Sequence, residues 1–172
     1  MSDTYLVLTV IGDDRPGLVG ELSAAIAAHQ GNWLESSMSH LAGQFAGIVK
    51  VGIPAARAEA LKTALGKMAA LKVMAVSAAE KSVPAGRRLK LALVGHDRIG
   101  IVREVSQVLA KHAVNVEKLE THTASAPMSA EILFHCEAEL TAAPDFNARM
   151  LKLELEKLSD DLMVDISLGE TL

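Results

Sequence analysis

Two short stretches hold the residue types from which a binding or reacting site could be made. The first is Gly12-Asp13-Asp14-Arg15-Pro16-Gly17-Leu18, and 83 residues later Gly95-His96-Asp97-Arg98-Ile99-Gly100-Ile101 repeats its pattern. Each leaves an apolar run and enters an amphipathic one, so each reads as a strand-to-helix turn. Gly12 ending a strand frees the backbone to take φ > 0, and Gly17 in the first helical turn lets another molecule approach without meeting a Cβ. The first N–H groups of a helix lack intrahelical acceptors, and the helix start carries partial positive charge, which suits a carboxylate or a phosphate. A phosphate loop needs a longer glycine spacing and a Lys-Ser/Thr pair, and Gly12 and Gly17 are too far apart for a dinucleotide fingerprint. A small carboxylate is the better match. Asp14 and Asp97 could face an ammonium group or simply cap their helices. Asn32, just after the first helix, could return toward the turn and offer both a donor and an acceptor to an amino acid, with Asn115 as its repeat. Trp33 beside it could wall a pocket or pack at a domain edge.

The remaining chemistry is thinner. Cys136 is solitary, which excludes an intramolecular disulfide and a paired-thiol metal motif, and its neighbour His135 points to the opposite face of a strand. A core thiol is expected there. Of six histidines, His29 and His112 are repeat-equivalent helix residues, while His40, His96, His122 and His135 fall on separate elements, so no metal site is expected. Without a nucleophile-base pair, phosphate loop or metal motif, neither an enzyme nor a cofactor is expected. Net charge is −4, and the acidity lies in the second half: residues 1–82 carry seven basic and seven acidic side chains, the rest ten and fourteen. No basic cluster exceeds Arg87-Arg88-Lys90, which argues against direct capture of nucleic acid. The start Met1-Ser2-Asp3-Thr4-Tyr5 lacks a signal-like pattern and no apolar run is long enough to span a bilayer, so a cytoplasmic protein is expected.

The elements that must position the two turns follow from periodicity. Tyr5–Ile11 is an apolar, β-branched run of strand length. Leu18, Val19, Leu22, Ala25 and Ile26 form one helical stripe, with Asp14 as candidate N-cap, Pro16 in the first turn and Gly31 as the stop. Residues 32–40 and 44–53 form a hairpin about Ala42-Gly43. A helix opening at Pro54 presents Ala58, Leu61, Leu65 and Met68, and residues 71–78 alternate as a last strand. Residues 80–87, with Pro84 and Gly86, read as a linker between domains at 1–82 and 83–172. The second unit repeats the order: a strand at 89–94, a helix with Ile101, Val102, Val105, Val108 and Leu109, strands at 116–123 and 128–140 about Ser125-Ala126-Pro127, a helix at about 145–158 and a strand at 162–168. Across residues 6–32 and 89–115, twelve of 27 ungapped positions are identical, including Arg15/Arg98, Glu21/Glu104 and Asn32/Asn115. Shared ancestry of the halves is therefore secure. Met38, Met68 and Met74 are read as core filler, and Glu154, Glu156, Asp160 and Asp161 as a solvated face.

A β-α-β-β-α-β unit of this length predicts an α+β class with ferredoxin-like domains: four antiparallel strands with both helices on one face. The other sheet face is expected to be covered, given the apolar content of both hairpins. The Gly-x-Asp-Arg-Pro-Gly-Leu-Val turn, the Asn after the first helix and this element order resemble the ACT domain, a regulatory module that binds amino acids. Two such units and a short linker resemble the glycine cleavage system transcriptional repressor family. The resemblance implies a ligand at an interface between domains, with main-chain contacts from Asp14, Arg15, Pro16, Gly17 and Leu18, side-chain contact from Asn32, and Asp97, Arg98, Gly100, Ile101 and Asn115 as the second copy. Ile99 in place of Pro16, and Ala113-Val114 in place of Gln30-Gly31, are expected to relax the second turn. The implied protein senses a small amino acid, possibly glycine, as a homo-oligomer and acts through a protein partner such as a DNA-binding transcriptional regulator. The alternative is an interaction or enzyme-regulating subunit without ligand.

Overall fold

The structure, a computed structural model, describes residues 3–79 and 86–168. Of the expected linker at 80–87, residues 80–85 lie outside the described residues. The chain divides into two compact units, Met1–Ser82 and Val83–Leu172. The first contains β1 (Asp3–Asp13), α1 (Leu18–Ala28), β2 (Asn32–Leu41), β3 (Gln44–Pro54), α2 (Ala55–Gly66) and β4 (Lys72–Ala78). The second contains β5 (Arg87–His96), α3 (Ile101–Lys111), β6 (Asn115–Ser125), β7 (Ile132–Ala142), α4 (Ala148–Glu156) and β8 (Met163–Leu168). Strand order is β2-β3-β1-β4 in one sheet and β6-β7-β5-β8 in the other, with every pairing antiparallel. This is the expected pair of βαββαβ units.

Alternation along the central strands explains which face the helices cover. Leu6, Leu8 and Val10 of β1 and Val49, Val51 and Ile53 of β3 are buried with Leu18, Leu22 and Ile26 of α1 and Leu61 and Leu65 of α2. The second unit repeats this with Leu89, Leu91 and Leu93 against Val105, Leu109, Leu151 and Leu155. Burying each such aliphatic side chain contributes about 1.5–3 kcal/mol, enough for a small unit to hold a four-strand sheet against two helices. Cys136 lies in this second core, as expected, and burial pushes its thiol up. Among the described residues no buried charged or polar side chain occurs, and no helix is long and apolar enough to cross a membrane.

The open sheet faces differ from each other. On the first, Val7, Thr9 and Ile11 stand beside Ile48, Met74 and Val76, the last three being 53%, 65% and 54% exposed. Met74 is therefore a surface residue and not core filler. On the second, Ala92 is flanked by Glu137 and Asp165, and the next row across the sheet reads Lys118, Glu139, Lys90, Ser167. That face is charged, contrary to the expected apolar covering, because the residues alternating with its core positions are mostly ionic.

Several boundaries shift for local reasons. Strand β7 starts at Ile132, so residues 128–131 belong to the hairpin loop, where Ala126 N–H donates to the Glu131 carbonyl. Helix α4 starts at Ala148 because Asn147 caps it, its Oδ1 accepting from the N–H groups of Arg149 and Met150. Both first helices end in the same left-handed cap. Gln30 takes φ 62°, Gln30 N–H donates to Ala27 O and Gly31 N–H to Ile26 O; Ala113 takes φ 53° with the matching bonds to Ala110 and Leu109. The left-handed residue is thus Gln30, not Gly31. Ala113-Val114 closes the second helix with the same bonds as Gln30-Gly31 closes the first.

Candidate functional site

The two turns have the same backbone. Gly17 has φ 93°, ψ −7° and Gly100 φ 93°, ψ −1°, each at the N-cap position of its helix. Ile99 in place of Pro16 has not relaxed the second turn, because the left-handed glycine after it, not the proline, sets the chain reversal. Asp14 and Asp97 do not cap the helices, since helix starts at Leu18 and Ile101 put them several residues too early. Pro16 likewise precedes the helix. Their backbones fasten the turns instead: Asp14 N–H donates to Gly43 O and Asp97 N–H to Ile132 O, both at 2.9 Å. Among the described residues no side chain caps either helix start. The first intrahelical bonds run from Glu21 N–H to Gly17 O and from Glu104 N–H to Gly100 O. Ahead of them, Ile101 N–H donates to Arg98 O at 3.3 Å, a bond without counterpart at Leu18 among the described residues.

Gly12 and Gly17 have separate roles. Gly12 does not take positive φ; it lies inside β1, where a Cβ would sit 2.3 Å from Ala70 O. Its role is to admit the chain entering β4. Gly95 does the same against Leu162, whose Cδ1 would lie 2.6 Å from a Cβ. A Cβ on Gly17 would meet nothing nearer than Glu21 Oε1 at 4.0 Å, so the space before the turn is open. Of the predicted site, Gly17 and Gly100 thus supply conformation and access, while Leu18 and Ile101 bury their side chains in the cores and offer only main chain.

Glu21 and Glu104 are the partners that sequence reasoning missed. Arg15 Nη2 lies 2.8 Å from Glu21 Oε1, and Arg98 donates to both oxygens of Glu104 at 2.9 and 2.6 Å. The repeat signal was present, because these residues recur together at a spacing of six. A residue six positions on is not a neighbour on one helix face, but Arg15 and Arg98 lie in non-helical chain that doubles back over the helix start. The Arg98 guanidinium holds the Glu104 carboxyl below its ordinary range. Each arginine is thereby committed to its own turn. Asp14 and Asp97 are exposed, and their carboxylates make no hydrogen bond or ion pair among the described residues.

The asparagines are not at the turns. Asn32 pairs with Gly52, which pairs with Tyr5, whereas the turn end of the sheet is the row Gly12, Phe45, His40. Gly12 lies seven residue steps along the strand from Tyr5, or about 24 Å at roughly 3.4 Å per residue. Asn115, opposite Thr141 and Arg88, is equally remote from Gly95, and its Nδ2 donates to Glu117 at 2.6 Å. Trp33 is half-buried and packs on the first core. Of the acidic residues read as a solvated face, Asp160 is exposed as expected, but Glu154 and Asp161 are engaged. Glu154 pairs with Lys111 and His112 at 2.6 Å, and Asp161 pairs with His96 at 2.8 Å.

Two further arrangements lie elsewhere. A depression of about 370 Å³ covers the open face of the second sheet, lined by Lys90, Lys118, Glu120, Glu137, Glu139 and Asp165. It touches neither turn. His122 and His135, on neighbouring strands, stack with ring centroids 4.7 Å apart, but no group of three or more His, Cys, Asp or Glu among the described residues is placed to hold a metal.

Comparison with known proteins agrees with this architecture. The family model for the ACT domain matches residues 4–78. The crystal structure of an unknown protein from Galdieria sulphuraria is 28% identical, with a TM-score of 0.82, 98% of this chain and 100% of that chain being covered. A putative glycine cleavage system transcriptional repressor is 18% identical with a TM-score of 0.69 over 99% of this chain and 100% of the other, a likeness of fold. No curated protein matches the sequence.

Proposed function

We propose, from the premise that residues 4–78 form an ACT domain and that the chain is a tandem of two ACT-like folds, that this protein is a non-enzymatic sensor of a small amino acid. The observation that carries the reading is the pair of uncapped helix starts, each reached through a left-handed glycine and each beside an aspartate without a partner among the described residues. The ligand carboxylate meets the free N–H groups and the positive helix end at Leu18, and its ammonium meets Asp14. The first turn is the stronger of the two, because Ile101 N–H already has an acceptor and Leu18 N–H has none among the described residues. The fold likeness to a putative glycine cleavage repressor makes glycine the first ligand to test.

Asn32 cannot share a ligand with the turn of its own unit, given about 24 Å of strand between the two levels. If it contributes, it does so to the turn of a second copy of the chain, which requires a homo-oligomer. A ligand held in that way favours the arrangement that presents both walls, by no more than its differential affinity for it. A net charge of −4 without a basic cluster supports action on transcription through a DNA-binding protein, not through DNA contact. Calorimetric titration of ligand-stripped protein with the twenty amino acids tests this, with Gly17→Val as the variant that blocks the turn. Heat from one small amino acid, abolished in the variant, is expected. Silence across the panel would reject the sensor reading.

The exposed apolar row Ile48, Met74 and Val76 supports a second reading, an interaction module that works without ligand. Partner affinity that is the same with or without amino acid, and unchanged in Gly17→Val, would favour it.

A further inference from the structure

The two turns share a backbone but are tied to their hairpins by different chemistry. In the first unit Gln44 Nε2, at the start of β3, donates to Asp13 Oδ1 at 2.7 Å. In the second, the residue at the position of Asp13 is His96, and the hairpin supplies a carboxylate instead: His96 Nε2 lies 3.0 Å from Glu131 Oε2. The other ring nitrogen, Nδ1, lies 2.8 Å from Asp161 Oδ2 in the loop before β8, and the His96 backbone N–H donates to the same oxygen at 2.7 Å. A carboxylate therefore faces each ring nitrogen. A neutral imidazole carries one N–H and would set its remaining lone pair against an oxygen; only the imidazolium can donate to both.

We infer that His96 makes the second turn a proton-operated version of the first: the imidazolium staples the end of β5 to the β6–β7 hairpin and to the loop before β8, and loss of its proton frees the hairpin tie. Glu131 is the carboxylate released. Asp161 keeps the His96 backbone N–H and the Ser159 hydroxyl, whereas among the described residues Glu131 keeps only the Ser129 hydroxyl at 3.2 Å. The consequence reaches the turn directly, because Ile132, next to Glu131, supplies the carbonyl that holds Asp97 N–H. In the first unit the corresponding donor is an amide, which does not titrate.

The groups facing the ring are Glu131 from the hairpin and Asp161 from the loop before β8, while Arg98 on the same turn feels the Asp161 charge. Hydrogen bonds to Glu131 and then to Asp161 raise the imidazolium above its ordinary range, against a smaller cost of burial. Glu131 and Asp161 are correspondingly held low, Glu131 by His96 first and Asp161 by the Ser159 hydroxyl first. A raised folded value means that the staple is complete below the ordinary imidazole value and is lost as pH rises through the folded one. This device does not depend on what, if anything, the turn binds.

The test is a nitrogen-15 NMR titration of the whole chain from about pH 5 to about pH 9, a window that brackets histidine ionisation. His96→Gln identifies the His96 ring signals, and Glu131→Gln removes the hairpin carboxylate. Two protonated ring nitrogens are expected at pH 6.5 in the unmodified chain, with a midpoint above that of an ordinary histidine. Glu131→Gln should lower that midpoint, and the Asp97 amide should move with it while the Asp14 amide does not. A midpoint at or below the ordinary value, no response to Glu131→Gln, or equal movement of the two turns would overturn the inference. Should Glu131→Gln fail to fold, the titration and ring protonation of the unmodified chain decide alone.

Discussion

Gly12→Ala separates the packing role of the motif from its conformational one. The new Cβ would stand 2.3 Å from Ala70 O and 3.0 Å from Leu71 Cδ2. The tighter contact is with backbone, which cannot rotate away, so the chain entering β4 must shift. Overpacking costs about 1–3 kcal/mol, and a fixed carbonyl places this case near the upper end. Reduced freedom of the unfolded chain offsets about 0.4–1 kcal/mol, leaving a loss of about 2 kcal/mol. For a unit of this size that lowers the melting temperature by roughly 8–16 °C. The chain has one tryptophan, Trp33, and it packs on the first core, so its fluorescence follows the unit that carries the mutation. Gly95→Ala is the internal comparison. There the contact at 2.6 Å is with the tip of Leu162, a flexible side chain, and the cost is expected to fall below about 1 kcal/mol. Melting curves followed by Trp33 emission and by circular dichroism measure both. Unchanged melting of Gly12→Ala, or a larger loss for Gly95→Ala than for Gly12→Ala, would refute the assignment of Gly12 to close packing.

Two other outcomes follow from the second unit. Ala113→Gly, at φ 53°, should raise stability by up to about 1 kcal/mol by relieving a left-handed residue that bears a Cβ, as read by guanidinium unfolding. Acid should weaken this unit. Arg98 holds Glu104 low, His96 holds Glu131 low, Lys111 and then His112 hold Glu154 low, and the Ser159 hydroxyl leads in holding Asp161 low. Each contribution is present above the ordinary carboxylate range and is lost as pH falls through the lowered folded value. Chemical denaturation should therefore show a decline below about pH 4, and Glu104→Gln should make it shallower.

Element order, the two repeats and the buried faces were legible because they depend on short-range pattern. Leu6, Leu8 and Val10 alternate, Leu18, Leu22 and Ile26 recur at helical spacing, and the Ala42-Gly43 turn closes the hairpin with φ of 49° and 78°. The recurrence of Gly, Asp, Arg and Gly also located both turns. The role of each residue within them was less legible. Asp14 looked like a cap, and Gly12 like a conformational hinge, because both judgments need the position of the helix start and of a loop nearly sixty residues away. For Arg15 only main-chain contact was expected, and the pairing of its side chain with Glu21 went unread.

What the chain determined by itself was a duplicated βαββαβ unit with a glycine-bearing turn ahead of each first helix, since hydrophobic periodicity and a glycine able to take φ > 0 are properties of neighbouring residues. The place of the asparagines follows from element order as well, because the 11 residues of α1 carry the chain about 16 Å back from the turn, so that Asn32 opens β2 at the far end of the sheet. Tertiary structure decided which residue faces which across the sheet, including the irregularity between Trp33 and Glu35. It also decided that His96 meets Glu131 and Asp161, residues 35 and 65 positions away. Register and contacts between distant loops are set by the packed sheet as a whole, and no local pattern encodes them.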